Sequence, residues 1–483
     1  MLTIDSAALA QSPVDRADRT LERIRREQTL SIDQNVAPDR RAFLDYGGFV
    51  ALNYASLDDS NGQNHGLRQV DLIGFARLNL DGVHEIFLRA RTGYQDFNPG
   101  DNFFPDRSND GWVDPDLERG YYRFDLRRAI EAYRGRESDS RFTFQVGRDL
   151  VLWGNGLVLS TVLDGGVISF ESPAINLDLV AGITPTRTVD FDTSRPAFDH
   201  NTRRFFYGAL ASKQLGTHRP YIYGLVQRDM NNRDSAAIDV GATKMVDGVT
   251  VSVPAQTTFN YDSFYIGIGS RGSLTQQLVY GIEAAFETGN TLSNSFTLMG
   301  NNPTPAMQST DTIIAFAIDA QLDYLFNDPN HTRISAEFMY ASGDADRGSS
   351  TDTFNGNRRN STDRGFNAFG LLNTGLAFAP AVSNLMSVRV GAATFPFQFG
   401  GPLERMQIGT DVFAFAKARS SGGFAEPTDD SRFLGIEPDL FLNWKITSDL
   451  TLAVRYGIFF PSDTILSEDR PRQFFFVGMT YAF

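Results

Sequence analysis

The sequence predicts an all-β membrane protein: a single antiparallel transmembrane β-barrel of about 18 strands, preceded by a short N-terminal periplasmic helix. Apolar and polar residues alternate along most of the chain, which is 12% aromatic and 21% charged. The alternating segments span about 10 to 14 residues, longer than ordinary globular strands and long enough for a tilted bilayer crossing. No stretch of about 18 residues is free of polar groups, so a closed barrel is the remaining way to span a membrane.

The composition excludes several other classes of protein. The chain has 483 residues, no Cys, five His and a formal net charge of -14. Without Cys there is no disulfide framework or thiolate metal site, which also suits passage through an oxidising periplasm. The negative charge argues against nucleic acid as a partner. The His residues are scattered and no catalytic order is supported, so we predict no enzyme, no catalytic or metal site and no cofactor.

The N-terminal region has the character of an exported protein. Ala8-Leu9-Ala10 has the small-x-small form of a signal-peptidase site, so residues 1–10 are predicted to be the remnant of a signal peptide. A chance Ala-x-Ala is the alternative. Residues 11–43 then form an N-terminal periplasmic segment, in which only Val14 to Ile32 has a helical pattern. Its many charges fit a solvated face, and a partner-binding or plugging role is the other interpretation.

Residues 44–483 are predicted to form the barrel, and the clearest strand runs from Val83 to Gln95. Because strand side chains alternate between faces, this strand has one apolar face: Ile86, Leu88, Ala90, Thr92 and Tyr94. Its other face is mostly polar: Glu85, Phe87, Arg89, Arg91 and Gln95. Asp81-Gly82 before it is a hairpin signal. Short turns of this kind alternate with long polar loops such as Gly343 to Asp363, which is typical of outer-membrane barrels.

The predicted number of strands follows from the requirement that a bacterial barrel has an even number of them. The segments first count to about 19, but both termini of a bacterial barrel face the periplasm, which requires an even number. Gly370 to Ala379 is apolar without alternation and is followed by Pro380. We therefore assign it to an extracellular loop that folds inwards, which leaves about 18 strands. A barrel of this size encloses a lumen wide enough for water unless something plugs it.

The last strand, Gln473 to Phe483, carries an unbroken apolar face. Its members are Phe475, Val477, Met479, Tyr481 and the terminal Phe483. This arrangement resembles the recognition signal of the machinery that assembles barrels in the outer membrane. We therefore expect that machinery, membrane lipid and lipopolysaccharide as partners. The expected location is the outer membrane of a diderm, Gram-negative type bacterium, as a multi-pass barrel.

Charged positions on the predicted inner faces are candidates for the pore lining. They are Arg77, Arg89, Arg91, Arg119, Arg123, Arg455, Glu85, Asp71 and Asp125. A ring of Arg attracts anions, and its planar fork pairs with carboxylates. Because acidic residues share the same strands, two interpretations stay open. The arginines neutralise neighbouring carboxylates, or they attract an anionic solute.

Several segments resemble the alginate-export family of outer-membrane barrels. They are Phe124–Leu126, Phe144–Arg148 with its Val-Gly-Arg ending, the Gly-rich Trp153–Leu157, Ser383–Leu385 and the terminal aromatic strand. Their order and spacing carry the likeness, which extends over residues 45 to 483. The resemblance implies an 18-stranded barrel and transport across the outer membrane. It leaves the cargo open.

The leading functional hypothesis is a transport barrel, either a porin-like channel or an exporter. It would pass polar or small solutes, or an acidic polysaccharide such as alginate, through a charged lumen, with loops Gly343 to Asp363 and Gly370 to Pro380 as gates. The alternative is a structural or adhesive barrel, closed by its loops and forming surface assemblies. A hydrolase would need a nucleophile and a base at the rim, which the sequence does not indicate.

Overall fold

The structure, a computed structural model, describes residues 42–99, 110–231, 234–241, 243–246, 249–299, 302–467 and 469–483. The predicted signal-peptide remnant and the predicted helix at Val14 to Ile32 lie outside these residues. The first strand begins at Ala42, just before the predicted barrel start at residue 44.

Eighteen antiparallel strands close into one barrel, as the sequence predicts. The strands of the chain are β1 (Ala42–Asp58), β2 (Asn64–Leu80), β3 (His84–Phe97), β4 (Gly111–Asp125), β5 (Arg141–Leu152), β6 (Ser160–Glu171), β7 (Asn176–Ile183), β8 (Arg204–Ser212), β9 (His218–Asp229), β10 (Ser235–Ile238), β11 (Thr243–Val246), β12 (Val249–Ser252), β13 (Ala255–Thr258), β14 (Tyr261–Ser273), β15 (Leu278–Leu292), β16 (Phe296–Met299), β17 (Asn302–Pro305), β18 (Thr310–Leu325), β19 (Arg333–Ala341), β20 (Leu385–Thr394), β21 (Met406–Lys417), β22 (Phe433–Lys445), β23 (Leu450–Pro461) and β24 (Arg472–Ala482). Strands β10–β13 and the pair β16–β17 form small two-stranded sheets apart from the barrel.

The barrel closes where the last strand meets the first. Strand β1 pairs with β2 on one side and with β24 on the other, with Phe49 opposite Ala482. The backbone N–H of Gly48 donates to Phe483 O at 3.0 Å, and the Phe483 N–H donates to Gly48 O at 2.9 Å. Closure leaves no exposed sheet edge, which is the condition for a β-structure to span lipid.

Most turns at one end of the barrel are short, and the longest connections lie at the other end. The Asp81-Gly82 turn has φ of 58° and 67°, and Val83 N–H donates to Leu80 O at 2.9 Å. Two positive φ values are those of the hairpin turn that the sequence predicts. By the usual asymmetry of outer-membrane barrels, the short-turn end is periplasmic and the long loops are extracellular.

A nine-residue helix, α1 (Leu126–Arg134), follows β4 at the periplasmic end. The expectation that Val14 to Ile32 is the only helix is therefore wrong. The Asp125 carboxylate accepts a hydrogen bond from Arg128 N at 3.1 Å, which caps the start of the helix. Gly135 ends the helix in the left-handed region, with φ of 61°. Nine residues are too few for a helical period to stand out between two strands.

In the part of the chain that the structure describes, the other helical element is a short 3-10 turn, Pro402–Arg405, before β21. Among the described residues, none of the helices has both the length and the apolar character needed to cross a membrane.

The two faces of each barrel strand differ as the alternation predicts. On β3, Ile86 and Leu88 point outwards and are 41% and 49% exposed, whereas Phe87 and Arg89 point inwards and are 2% and 6% exposed. An apolar outer face would be costly in water, but lipid covers it in a membrane. The interior therefore holds the charged residues, and the lipid-facing surface is apolar.

The connection between β19 and β20, residues 342–384, folds into the barrel, and we call it the inner loop. Phe366, Phe369 and Phe378 are buried in it, and they join the main hydrophobic cluster of the described residues. Leu159 and Phe369 form a parallel bridge, which ties the inner loop to the entry of β6. The prediction that Gly370 to Ala379 is an inward-folded loop rather than a strand is confirmed.

Candidate functional site

One part of the inner surface, which we call the arginine wall, is formed by β2 to β5. It carries Arg77, Arg89, Arg91, Arg119 and Arg123, all on the inward faces. The Arg91 Nε donates to Asp71 Oδ1 at 2.9 Å. The Arg89 Nε donates to Glu118 Oε2, also at 2.9 Å. Arg91 lies 3.7 Å from Glu118 as well, so charges on three neighbouring strands form a continuous ladder.

Glu85 contacts two arginines and a tyrosine in the periplasmic part of this wall. Its Oε1 lies 3.9 Å from Arg77 Nε and 3.7 Å from Arg123 Nη1. The Tyr121 hydroxyl donates to the same oxygen at 2.8 Å. One carboxylate therefore neutralises two arginines only in part, because both distances are long for charged hydrogen bonds.

Three arginines of this wall, Arg77, Arg91 and Arg123, are more exposed than the carboxylates that they meet, whereas Arg89 and Arg119 are buried. The Arg91 side chain is 22% exposed while Asp71 is 1% exposed. The Arg123 side chain is 28% exposed against 19% for Glu85. Solvent inside the barrel therefore contacts guanidinium edges, with the carboxylates lying beneath them.

The other predicted lining residues lie in different settings. Arg119 faces inwards but is buried, with its Nη1 3.6 Å from Asp149. Asp125 lies at the periplasmic end of β4, where it caps α1 and accepts a hydrogen bond from Arg141 Nε at 2.7 Å. Arg455 faces inwards from β23 and donates to backbone and side-chain oxygens of β22.

A second region, which we call the acid wall, consists of Glu283, Glu287, Asp319 and Glu437 on β15, β18 and β22. All four are 0% exposed. Buried carboxylates need charged or hydrogen-bonding partners. In the acid wall most of these partners are backbone N–H and side-chain groups of the loops, rather than arginines.

Glu437 holds three consecutive residues of the inner loop. Its Oε1 accepts from the N–H of Leu376 at 2.5 Å and of Ala377 at 2.7 Å, and its Oε2 accepts from Phe378 N–H at 2.8 Å. Gly375 has φ of 94°, and a Cβ there would lie 2.7 Å from Glu437 Oε1. Only glycine permits this approach, so the turn and the carboxylate are matched to each other.

Glu287 holds a second point of the inner loop. Its Oε2 accepts from Asn367 N–H at 3.0 Å, and its Oε1 accepts from the Tyr261 hydroxyl at 2.7 Å. The Tyr265 hydroxyl donates to Asn367 O at 2.5 Å. Both backbone groups of Asn367 are therefore fixed by the barrel wall.

Glu283 holds a different loop, the Gly-rich bend at Trp153 to Leu157. It accepts from the backbone N–H of Asn155 and, at 2.6 Å, from the Tyr223 hydroxyl. The Asn155 side chain donates to Asp319 Oδ2 at 2.7 Å. The bend therefore donates to both carboxylates, which lie directly opposite each other in the register of β15 and β18.

The inner loop also meets the extracellular loop between β7 and β8. Asp192 Oδ2 accepts from Thr353 N–H at 3.1 Å, and the Thr193 hydroxyl donates to Asp352 Oδ1 at 2.9 Å. Burial, together with the negative charge of Asp352, raises the pKa of Asp192 to about 6. Burial also raises the pKa of Asp352. The two loops therefore join through a pair of carboxyl groups that resist ionisation.

The sequence candidates do not include every inward arginine, and two of those missing are Arg219 on β9 and Arg271 on β14. They lie directly opposite each other in the register of these strands. Both continue an inward series by steps of two, from Tyr221 and from Gly269. Extending the alternation along β9 and β14 would have placed both on the inner face.

Comparison with solved structures shows the same fold. Pseudomonas aeruginosa OccK8 (OprE) is 11% identical, Acinetobacter baumannii OccAB2 is 9% identical and Pseudomonas aeruginosa OccK5 (OpdH) is 10% identical. Each has a TM-score of 0.52, with 91% of this chain and 98% of the other chain covered. No curated protein matches the chain.

The sequence model of the family described as alginate export matches residues 55–474, which is most of the chain. The match begins within β1 and ends within β24, so it includes the closed barrel and its inward loops. With the closed 18-stranded architecture, this places the protein in the outer membrane as a multi-pass barrel. The chain belongs to the alginate export family, and it is an outer-membrane transport barrel.

Proposed function

We propose that the barrel passes an anionic cargo, with an acidic polysaccharide as the best candidate, and that no covalent step is involved. The observation that carries this proposal is that Arg77, Arg91 and Arg123 are each more exposed to the lumen than the carboxylate that they meet. Arg389, on the opposite side of the barrel from the arginine wall, follows the same rule. Its side chain is 20% exposed while that of its partner Glu337 is 3% exposed.

An arginine-faced path suits a polymer of sugar carboxylates for two reasons. Guanidinium groups form planar, charge-assisted hydrogen bonds with carboxylates. Because each arginine is partly neutralised by its partner, it attracts a passing carboxylate without holding it permanently. Conduction requires this balance, since a site must be favourable enough to enter and weak enough to leave.

Ion selectivity in planar bilayers tests the proposal. Under a KCl gradient, we expect the reversal potential of the wild-type barrel to show a preference for chloride. The variants Arg91→Gln and Arg123→Gln should both reduce that preference, because each removes an exposed positive charge. Arg228→Gln is the matched control, since Arg228 lies on the outward face of β9 and pairs with Asp262. Cation preference in the wild type would overturn the proposal.

The structural or adhesive barrel is the second candidate, and the inner loop is the observation that favours it. This loop is buried, and it is held by Glu287 and Glu437 from two different strands. A barrel that never opens would conduct no ions even when a holding carboxylate is neutralised. Absence of conductance in the wild type and in Glu437→Gln, together with ordered arrays of the protein in the envelope, would establish this alternative.

We also propose that β24 directs assembly by the barrel machinery and contacts membrane lipid or lipopolysaccharide. Phe475, Met479 and Tyr481 point outwards and are 38%, 38% and 53% exposed, and Phe483 is 67% exposed. Deletion of Phe483 should reduce the amount of folded barrel in the outer membrane, measured by heat-modifiable mobility on gels. Thr480→Ala, a change on the other face of the same strand, should leave assembly unchanged. Normal assembly after the deletion would contradict this role.

A further inference from the structure

Arg219 and Arg271 form an unusual pair near the periplasmic end of the barrel. They lie directly opposite each other on β9 and β14, both face inwards, and both are exposed. Like charges directly opposite on neighbouring strands destabilise a sheet. A pair of this kind needs a compensating reason.

Neither arginine has a carboxylate as its hydrogen-bond partner, although Glu283 is near enough to attract Arg271 electrostatically. The Arg271 Nε donates to Asn155 Oδ1 at 3.1 Å, and the Arg219 Nε donates to Ser212 Oγ at 3.2 Å. Both partners are neutral. Within the described part of the chain, neither side chain forms an ion pair, and the Nη groups of both have no hydrogen-bond partner. The arginine wall differs, because its arginines meet carboxylates on neighbouring strands.

The nearest inward carboxylate on the adjacent strand is already occupied. Glu283 lies diagonally from Arg271 on β15, and it accepts hydrogen bonds from Asn155, Tyr221 and Tyr223. The residue directly opposite Arg271 on β15 is Gly281. Because glycine has no side chain, the Asn155 side chain fits against Gly281, where its Oδ1 accepts from Arg271 Nε.

We infer that Arg219 and Arg271 form a subsite for one carboxylate group of the anionic cargo, at the periplasmic end of the lumen. The two Nε atoms are held by the protein, so the guanidinium planes are oriented while their Nη groups remain available. Side chains directly opposite on paired strands are close enough for one carboxylate to accept hydrogen bonds from both. This subsite rests on the proposed function, because it assigns a capture point to the same anionic cargo.

Calorimetric titration of the full-length barrel in detergent tests the subsite. The probe is tetragalacturonate, a short chain of sugar carboxylates, with maltotetraose as its uncharged counterpart. We expect tetragalacturonate to bind the wild type and to bind Arg219→Gln and Arg271→Gln about tenfold more weakly, since each variant loses charge-assisted hydrogen bonds. Arg228→Gln should bind as the wild type does, because it changes the same charge on the outward face of β9.

Several results would overturn the subsite. Unchanged affinity in the Arg219→Gln, Arg271→Gln double variant, or equal binding of maltotetraose, would do so. Equally tight binding of inorganic phosphate would overturn the assignment to a sugar carboxylate. Circular dichroism and heat-modifiable mobility confirm that the variants are folded. Chloride preference in bilayers with unchanged binding in the double variant would reject the subsite alone, whereas loss of chloride preference in the wild type would reject the proposed function.

Discussion

The arginine wall and the acid wall use the same strand alternation for different purposes. In the arginine wall, Arg91 meets Asp71 across neighbouring strands, so that most charges are compensated within the sheet. In the acid wall, Glu437 meets the backbone of residues 376 to 378, far from it in the sequence. The first wall presents partly neutralised cations to solvent, and the second binds the loops that fill the interior. An inward charged residue therefore lines the lumen when its partner lies on a neighbouring strand, and it anchors a loop when its partner belongs to that loop.

The arginine wall should therefore affect which ions pass, and the acid wall should affect whether the loops close the lumen. Changes in the arginine wall should alter which ions pass, because its charged edges are exposed. Changes in the acid wall should alter how firmly the loops are held, because its carboxylates are buried under them. Four experiments test this division.

The largest effect is expected from Glu437→Gln. The amide keeps the shape of the side chain but loses its charge, and its NH2 group cannot accept from the inner-loop N–H groups. Charged hydrogen bonds of this kind contribute roughly 1.5–3 kcal/mol each. We expect the inner loop to loosen, with higher single-channel conductance and faster proteolysis within residues 342–384. Asp323→Asn is the control, since Asp323 faces inwards on β18 and pairs with Arg333 rather than with a loop. Equal conductance in Glu437→Gln and wild type would refute the anchoring role.

A smaller effect is expected from Glu85→Gln in the arginine wall. Loss of this charge leaves Arg77 and Arg123 less neutralised. The reversal potential should therefore shift towards the equilibrium potential of chloride, while the loops stay in place. Glu404→Gln is the control, because Glu404 is an exposed residue of the periplasmic 3-10 turn. If Glu85→Gln increased proteolysis of the inner loop instead, the separation between the two walls would fail.

The contact between the two loops that carry Asp192 and Asp352 should make closure depend on pH. The pKa of Asp192 is raised to about 6, so the folded contact favours the protonated carboxyl group. The stability that this group gives to the contact is therefore complete at a pH below the ordinary carboxyl pKa. That contribution is lost as the pH rises through about 6. We expect conductance to be modestly higher at pH 8 than at pH 5. Asp352→Asn removes the facing negative charge and should weaken this dependence. Higher conductance at pH 5 would contradict the expected sign.

The smallest effect is expected from Asp125→Ala, which touches neither wall's function. The variant loses the cap of α1, and caps contribute about 1 kcal/mol. Its ion pair with Arg141 adds little, because Arg141 is 42% exposed. We expect slightly earlier unfolding in urea and unchanged conductance and selectivity. Asp125→Asn keeps a capping oxygen and should restore most of the stability. A change of ion selectivity in Asp125→Ala would instead support the prediction that Asp125 lines the pore.

Local sequence pattern predicted the barrel because the side-chain period of a strand is a local property. It separated Ile86 from Arg89 correctly, and parity placed Gly370 to Ala379 outside the sheet. The helix α1 escaped prediction, since nine residues beside an alternating strand give no clear helical period. Arg219 and Arg271 also escaped, although their alternation with Tyr221 and Gly269 marks them as inward.

The sequence alone thus determined the fold class, the even number of strands and the face on which each side chain lies. Only the tertiary structure decided which inward charges meet each other and which meet a loop. Asn155 and Glu283 lie on distant parts of the chain, and alternation gives a residue's face but neither its height nor its neighbour across the lumen. Physically, the strand period is set by adjacent residues, whereas the filling of the interior depends on how long loops pack against a closed wall.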